Sequence, residues 1–332
     1  MSLKKIAYLI GAGATHAEIY NLEEDPSETF LRKNGLLISD VSKRVMKKAQ
    51  DIRGFKKDVE SVTSADGSLN IELLISLFAS NQIPNADHKV NSLKRLVQED
   101  ILKRLSPSRK KRFYLHKSLL ELHKLIDNRE NLLGIISLNY DDILDEAYEA
   151  CQLPVNYCLT SKDVDSGSLP LLKLHGSFNW RRRKIYERAK TISIIPLGLN
   201  KNYLIPPYSF IWNRAFEILV LCDTLRIIGC SLNQNDIGLV DILFKAHLER
   251  VNCFEIEIID FQKQGDQIKN SYGFFPKLIK PKDIEGSLIA DPQILSEDCI
   301  GNPFKIWLKA KAKKMLPDDQ EIQDTKYLKK CF

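Results

Sequence analysis

Five consecutive apolar residues, Ile6-Ala7-Tyr8-Leu9-Ile10, run straight into Gly11-Ala12-Gly13-Ala14-Thr15. A short apolar run without polar alternation fits a strand covered on both faces, which points to a parallel sheet flanked by helices. Two glycines directly behind such a strand permit torsions and close approaches that a side chain forbids. In a strand–turn–helix unit the turn presents backbone N–H groups to whatever rests on it, usually a phosphate. The helix is expected to begin near His16; its place just after the glycine turn also makes it a ligand-contact candidate, but helix-start polarity accounts for it. The full dinucleotide fingerprint wants a third glycine, and the stretch up to Ile19 has none. A phosphate cradle and an ordinary strand-to-helix turn both fit this stretch taken alone.

The rest of the chain repeats the theme. Residues 132–138, 169–174, 224–228 and 255–259 are short apolar runs that read as buried strands, and 203–205 is a briefer segment stopped by Pro206-Pro207. Between the first two strands, residues 37–50, 70–82, 89–105 and 108–126 carry apolar positions at helical spacing. The clearest stripe is Val90, Leu93, Leu96, Val97, Ile101 and Leu105, which is core and not a cofactor box. Ala65-Asp66-Gly67-Ser68 reads as a turn. Further helices are expected before Ala150, over 212–221 and over 236–250, the last with Asn235 or Asp236 as its cap. Strands alternating with helices predict an α/β fold: a Rossmann-like doubly wound parallel sheet with a helical insertion at residues 30–130. Residues 1–262 make up the main domain. Residues 263–332 form a C-terminal extension with a basic helix over 304–315.

Composition narrows the class. A chain of 332 residues with 44% apolar and 28% charged content is an ordinary globular protein. Its seven cysteines are scattered without a C-x-x-C pair, so they predict buried thiols and no metal. Neither a secretory signal nor an apolar stretch of about eighteen residues is present, so a cytoplasmic protein with no membrane partner is expected. The net charge of +6 includes Lys103, Arg104, Arg109, Lys110, Lys111 and Arg112, and the run Arg181-Arg182-Arg183-Lys184. These clusters read by default as solvated surface, with contact to nucleic acid or an acidic partner as the alternative, though nothing else in the sequence supports a nucleic-acid partner.

Function is expected where strands end. In a parallel sheet the carboxyl ends converge on one edge. Five of them carry unusual polar or small groups: Gly11 to Thr15, Asn139 with Asp141, His175-Gly176, Gly229-Cys230-Ser231, and Asp260. Glycine and serine suit close approach to phosphate or ribose, and a late acidic residue suits a ribose hydroxyl. Asn139 and His175 are the types that orient water and manage a proton. Taken singly, Asn139 also reads as a turn former and His175 as a loop histidine.

The order Gly-Ala-Gly-Ala-Thr, Leu-Asn-Tyr-Asp-Asp, Lys-Leu-His-Gly-Ser and Ile-Ile-Gly-Cys-Ser-Leu resembles the sirtuin superfamily, and most of all the bacterial sirtuin-like domains of antiphage defence. Leu204-Ile205-Pro206-Pro207 and the Trp212 helix also resemble that branch, so the likeness spans roughly residues 3–262. It implies a Rossmann-like sheet that binds NAD and breaks its nicotinamide–ribose bond. On that resemblance Gly11, Ala12, Gly13, Ala14 and Thr15 face the NAD phosphates and the adjacent ribose. Asn139 sits beside the nicotinamide ribose, Asp141 near the carboxamide, and His175 is the general base. Gly229 and Ser231 match the Gly-Thr-Ser loop, with Cys230 in place of threonine, and Asp260 lies near the adenosine ribose.

Two departures bear on the reaction. The deacylases of the family carry a four-cysteine zinc module between the histidine and the Gly-x-Ser loop, whereas residues 176–224 contain only Cys222. The family's Pro-Asp-Phe-Arg segment is replaced by His16-Ala17-Glu18-Ile19-Tyr20. Both favour NAD hydrolysis over deacylation of a protein lysine. The expectation is therefore an NAD+ glycohydrolase acting as a regulated defence effector, with NAD as substrate and no metal. A non-enzymatic module that senses NAD or a derivative, and a zinc-less deacylase, are the alternatives. The resemblance further implies a homo-oligomer, and a separate HerA-like ATPase or another defence protein as partner.

Overall fold

The computed structural model describes residues 2–21, 35–51, 55–57, 60, 71–79, 86–105, 113–163, 167–180, 203–204, 206–230, 232, 236–250, 255–260, 302–316 and 319–332. Five strands, β1 (Lys4–Ile10), β2 (Glu130–Ser137), β3 (Leu171–Lys173), β4 (Thr224–Ile228) and β5 (Glu255–Ile259), form one sheet in the order β3-β2-β1-β4-β5. Every pairing is parallel. The chain winds away from β1 in one direction through β2 and β3, then returns and winds the other way through β4 and β5. The direction therefore reverses between β1 and β4, which makes their carboxyl ends the topological switch point of the sheet.

Nine helices surround it among the described residues: α1 (Ala12–Tyr20), α2 (Ile38–Gln50), α3 (Ile71–Ala79), α4 (Ala86–Leu105), α5 (Leu115–Leu125), α6 (Ile143–Ala150), α7 (Tyr208–Leu221), α8 (Ile237–Glu249) and α9 (Pro303–Met315), with a further short turn of helix at Asp319–Gln323. Alternation along the strands decides which helix covers which face. Ala7 and its register partner Gly134 leave room for α7, since a Cβ on Gly134 would lie 2.7 Å from Ile218 Cδ1. Tyr8, one residue on, turns to the opposite face and meets His123 of α5 and Trp307 of α9. Both faces are thus covered, which is the doubly wound arrangement the apolar runs predict.

The predicted insertion divides into two parts. Val41, Val45, Leu74, Phe78, Leu93 and Val97 of α2, α3 and α4 build a core cluster of their own, joined at its edge by Ile19, Ile143 and Phe178. In contrast, Leu115, Leu119, Leu120 and Leu122 of α5 belong to the main core on the sheet. This last helix is the crossover between β1 and β2. The C-terminal segment also enters the main core, through Phe304, Trp307, Leu308 and Ala312.

Some boundaries differ from those expected. The first helix begins at Ala12 and not near His16, because Gly11 takes the extended N-cap position (φ −111°, ψ −176°) and the alanines that follow favour a helix. Tyr203 and Leu204 lie in a turn and not in a strand. The turn expected at 65–68, residues 106–112 of the first basic cluster and the run 181–184 fall outside the described residues. No helix among the described residues is long and apolar enough to cross a membrane.

Candidate active site

The turn after β1 and the turn after β4 interlock at the switch point. Gly13 N–H donates to the Gly229 carbonyl at 2.8 Å, and Gly11 N–H donates to Ile228 at 3.0 Å. A Cβ on Gly11 would lie 2.5 Å from the Gly229 oxygen, and one on Gly13 would lie 2.7 Å from the Gly229 Cα. The glycines are thus needed first for backbone to pass backbone. Gly13 N–H is taken by Gly229 and Ala14 N–H by the Gly11 carbonyl, so an anion at the start of α1 would meet the Ala12 amide and the positive end of the helix dipole. The turn offers fewer donors than the sequence alone suggests.

Asn139, just beyond β2, is held against this turn. Its Nδ2 donates to the Gly11 carbonyl at 2.9 Å and to Thr15 Oγ1 at 3.0 Å. A carbonyl can only accept, so the amide's orientation is fixed by chemistry and Oδ1 is the end left to accept a hydrogen bond. Thr15 Oγ1 in turn donates to Asp141 Oδ2 at 2.9 Å, while Asp141 Oδ1 accepts the Ile143 N–H at 3.1 Å and starts α6. Burial pushes the Asp141 carboxyl above its usual range, against the pull of Lys173 and these two donors. Gly11, Thr15, Asn139 and Asp141 therefore form one hydrogen-bonded unit at the ends of β1 and β2.

His175 follows β3 and is fully buried. Its ring lies 6.2 Å from that of Tyr140 and 6.4 Å from that of Trp212, and Trp212 Nε1 donates to the neighbouring Leu174 carbonyl at 3.1 Å. Beneath it, Lys173 Nζ bonds Asp145 and Ser177, each at 2.9 Å, and also reaches the Asp141 carbonyl. Burial opposes the Asp145 charge, yet Lys173, Tyr157 and Asn179 outweigh it and hold the carboxyl below its usual range. This satisfied network ties the segment after β2 to the segment after β3, and so fixes His175 relative to Asn139 through the scaffold.

Sequence reading treats Asp236 only as a helix cap. Its Oδ1 does accept the Leu239 N–H at 3.3 Å, but Oδ2 lies 3.1 Å from His175 Nε2. The one available signal was an acidic residue at a helix start shortly after a strand-end glycine turn. His16, inside α1 and not at its start, lines a cavity with Gly13, Gly229, Asp260, Asn302 and Phe304. Burial lowers its basicity, with Asp40 opposing. The wall formed by Asn302 and Phe304 comes from the C-terminal segment, whose Asn302 Nδ2 donates to the Ala17 carbonyl at 2.7 Å.

Of the predicted site residues, Gly11, Ala12, Gly13, Ala14, Thr15, Asn139, Asp141, His175, Gly229 and Asp260 all stand at the carboxyl edge of the sheet; Ser231 lies outside the described residues. Cys230 is buried, which pushes its thiol up to about 12 and leaves it inert as a nucleophile. Among the described residues no group of three or more His, Cys, Asp or Glu could hold a metal ion.

No protein-family model matches the chain, and no curated protein does. Among solved structures it is similar to Sir2 enzymes. One aligns over 96% of this chain and 95% of its own at 13% identity, with a TM-score of 0.41. A Sir2–p53 peptide–NAD+ complex covers 82% of this chain and 92% of its own at 14% identity (TM-score 0.35), and a complex of a Sir2 homologue with NAD covers 82% and 90% at 14% identity (TM-score 0.31).

Proposed function

We propose that this chain is an NAD+ glycohydrolase, which uses water to split NAD+ into nicotinamide, ADP-ribose and a proton. The observation that supports the reading is one of placement. A glycine turn at a helix start, an asparagine with its carbonyl oxygen left to accept, and a histidine braced by a carboxylate share the carboxyl edge of one parallel sheet. The C–N bond breaks with its electron pair on the nicotinamide, which departs neutral. The ribose carbon left behind is electron-poor, so catalysis rests on positioning and electrostatics more than on acid assistance. Asn139 Oδ1 accepts a hydrogen bond from a ribose hydroxyl or from the attacking water, and His175 takes the released proton. The diphosphate lies at the Ala12 amide and the adenosine in the cavity beside Asp260. The wider role, a defence effector that depletes NAD as a homo-oligomer or with a HerA-like ATPase, rests on the sequence resemblance.

Incubating the purified protein with NAD+, with and without an acetylated peptide, tests the reading. Nicotinamide is expected in both cases. Asn139→Ala and His175→Ala are each expected to lose at least about 100-fold in turnover, the scale of general-base and positioning effects, while still melting cooperatively. Release that requires the peptide would identify a deacylase instead, and binding without turnover a sensing module.

A further inference from the structure

The carboxylate that faces His175 also starts a helix, and the two duties fall on different oxygens. Asp236 Oδ1 caps α8 through the Leu239 N–H at 3.3 Å, whereas Oδ2 faces His175 Nε2 at 3.1 Å. We infer that Asp236 sets the tautomer of His175, placing the proton on Nε2 and making Nδ1 the proton-accepting nitrogen. A carboxylate offers only lone pairs, so the nitrogen facing it must carry the hydrogen. A neutral imidazole has one N–H, so the lone pair then resides on Nδ1. The rings of Tyr140 and Trp212 flank the imidazole at 6.2 and 6.4 Å and restrict its rotation. Asp236 is thus a positioning residue in the sense of a nucleophile–base–orienter chain, where the third group fixes how the base presents itself. Because the same side chain is the cap, the base is mounted on the first turn of a 13-residue helix.

The cap makes the inference testable by a single oxygen-to-nitrogen exchange. In Asp236→Asn the amide oxygen is needed by the Leu239 N–H, and asparagine caps a helix about as well as aspartate. Its NH2 group must then face His175 Nε2, which can only accept, and the proton moves to Nδ1. The chain has six histidines, few enough for two-bond 1H–15N correlation spectra on labelled protein, with His175→Gln to identify the signal. The wild type is expected to show the neutral Nε2–H pattern for His175 and Asp236→Asn the Nδ1–H pattern. NAD+ turnover by the variant is expected to fall about 10²- to 10⁴-fold, mainly in kcat. Asp241→Asn, one turn along α8 and paired with Lys245, serves as the control and should change neither readout.

A doubly protonated or Nδ1–H His175 in the wild type overturns the inference, as does an Asp236→Asn protein that keeps both tautomer and turnover. The kinetic arm rests on the hydrolase reading; the spectral arm does not. A wild type that shows the Nε2–H pattern yet releases no nicotinamide removes that reading and leaves the tautomer assignment standing.

Discussion

At Gly229 the backbone sits at φ +57°, and a Cβ there would lie 2.1 Å from the Ala14 nitrogen and 2.4 Å from the Gly13 carbonyl carbon. Two separate penalties follow for any substitution. The left-handed conformation costs an ordinary residue about 1–2 kcal/mol. Overlap with backbone adds roughly 1–3 kcal/mol, because no side chain is there to swing away. Gly167 isolates the first penalty: it has φ +67° with nothing within 4 Å. Gly229→Ala should therefore be less stable than Gly167→Ala by at least about 1 kcal/mol in urea unfolding, and equal losses would remove the interlock argument. The glycines at positions 11, 13 and 229 were legible in the sequence as sites of unusual torsion or close approach; only Gly229 has the torsion, while Gly11 is extended and Gly13 helical and both serve close approach. Their mutual contact was not, since a sequence shows which torsions are open and not which other turn fills the space. Asp236 was legible for the same reason only as a cap, because its second oxygen meets a residue remote in the chain.

At the scale of elements, the sheet buries a charge network that the apolar runs concealed. Arg226, in the middle of β4, forms a two-pronged pair with Glu130 at 2.7 and 2.8 Å and reaches Glu257 of β5 at 2.7 Å. Lys311 and Trp307 of α9 complete it, bonding Glu130 at 2.6 Å and Glu257 at 2.8 Å. Arg226 also donates to the Tyr8 hydroxyl at 3.0 Å, and the same hydroxyl lies 2.6 Å from His123 Nε2, where an imidazole with its proton on Nδ1 accepts from it. Burial, reinforced by Arg226, pushes the His123 imidazole down to about 3 from its ordinary 6.5. Burial works against the Glu130 carboxylate too, but Arg226 and Lys311 outweigh it and hold it at about 2 instead of 4.5. Both folded-state values lie below the unfolded ones, so the unfolded chain binds protons first as pH falls. The His123 contribution is complete above 6.5 and is lost between 6.5 and about 3. The Glu130 contribution is complete above 4.5 and is lost between 4.5 and about 2. His123→Gln keeps an acceptor for Tyr8 but has nothing to titrate. Its unfolding free energy should be flatter than that of the wild type between pH 6.5 and 5, and an unchanged slope would rule out His123 as the cause.

For the molecule as a whole, the strand positions and their alternation with helices were readable from residue pattern, and with them the carboxyl edge that carries the site. The division of the insertion was not, because α4 and α5 show similar amphipathic stripes and only the third dimension decides what each stripe faces. The helical cluster of α2, α3 and α4 borders the site through Phe178, whose ring lies 5.6 Å from that of Tyr140. Leu93 is fully buried at its centre. Leu93→Ala is expected to cost about 2–5 kcal/mol. Hydrogen exchange should place that loss in α2 to α4, with the amides of β1, β2 and β4 keeping their protection. Uniform loss across the sheet would instead mean that the two clusters unfold as one.

The position of α9 has a consequence for how such a chain comes into being. Lys311 and Trp307 are translated after every strand of the sheet, yet they satisfy carboxylates on β2 and β5. Before α9 docks, Glu130 and Glu257 share, among the described residues, the single cation Arg226 and lack Lys311 and Trp307, and burying two carboxylates against one cation is unfavourable. Burial of these carboxylates in the sheet is therefore coupled to the docking of α9. The glycine turn after β1 shares that dependence, since its Gly11 and Gly13 amides bond Ile228 and Gly229 and cannot take their final places until β4 is beside β1.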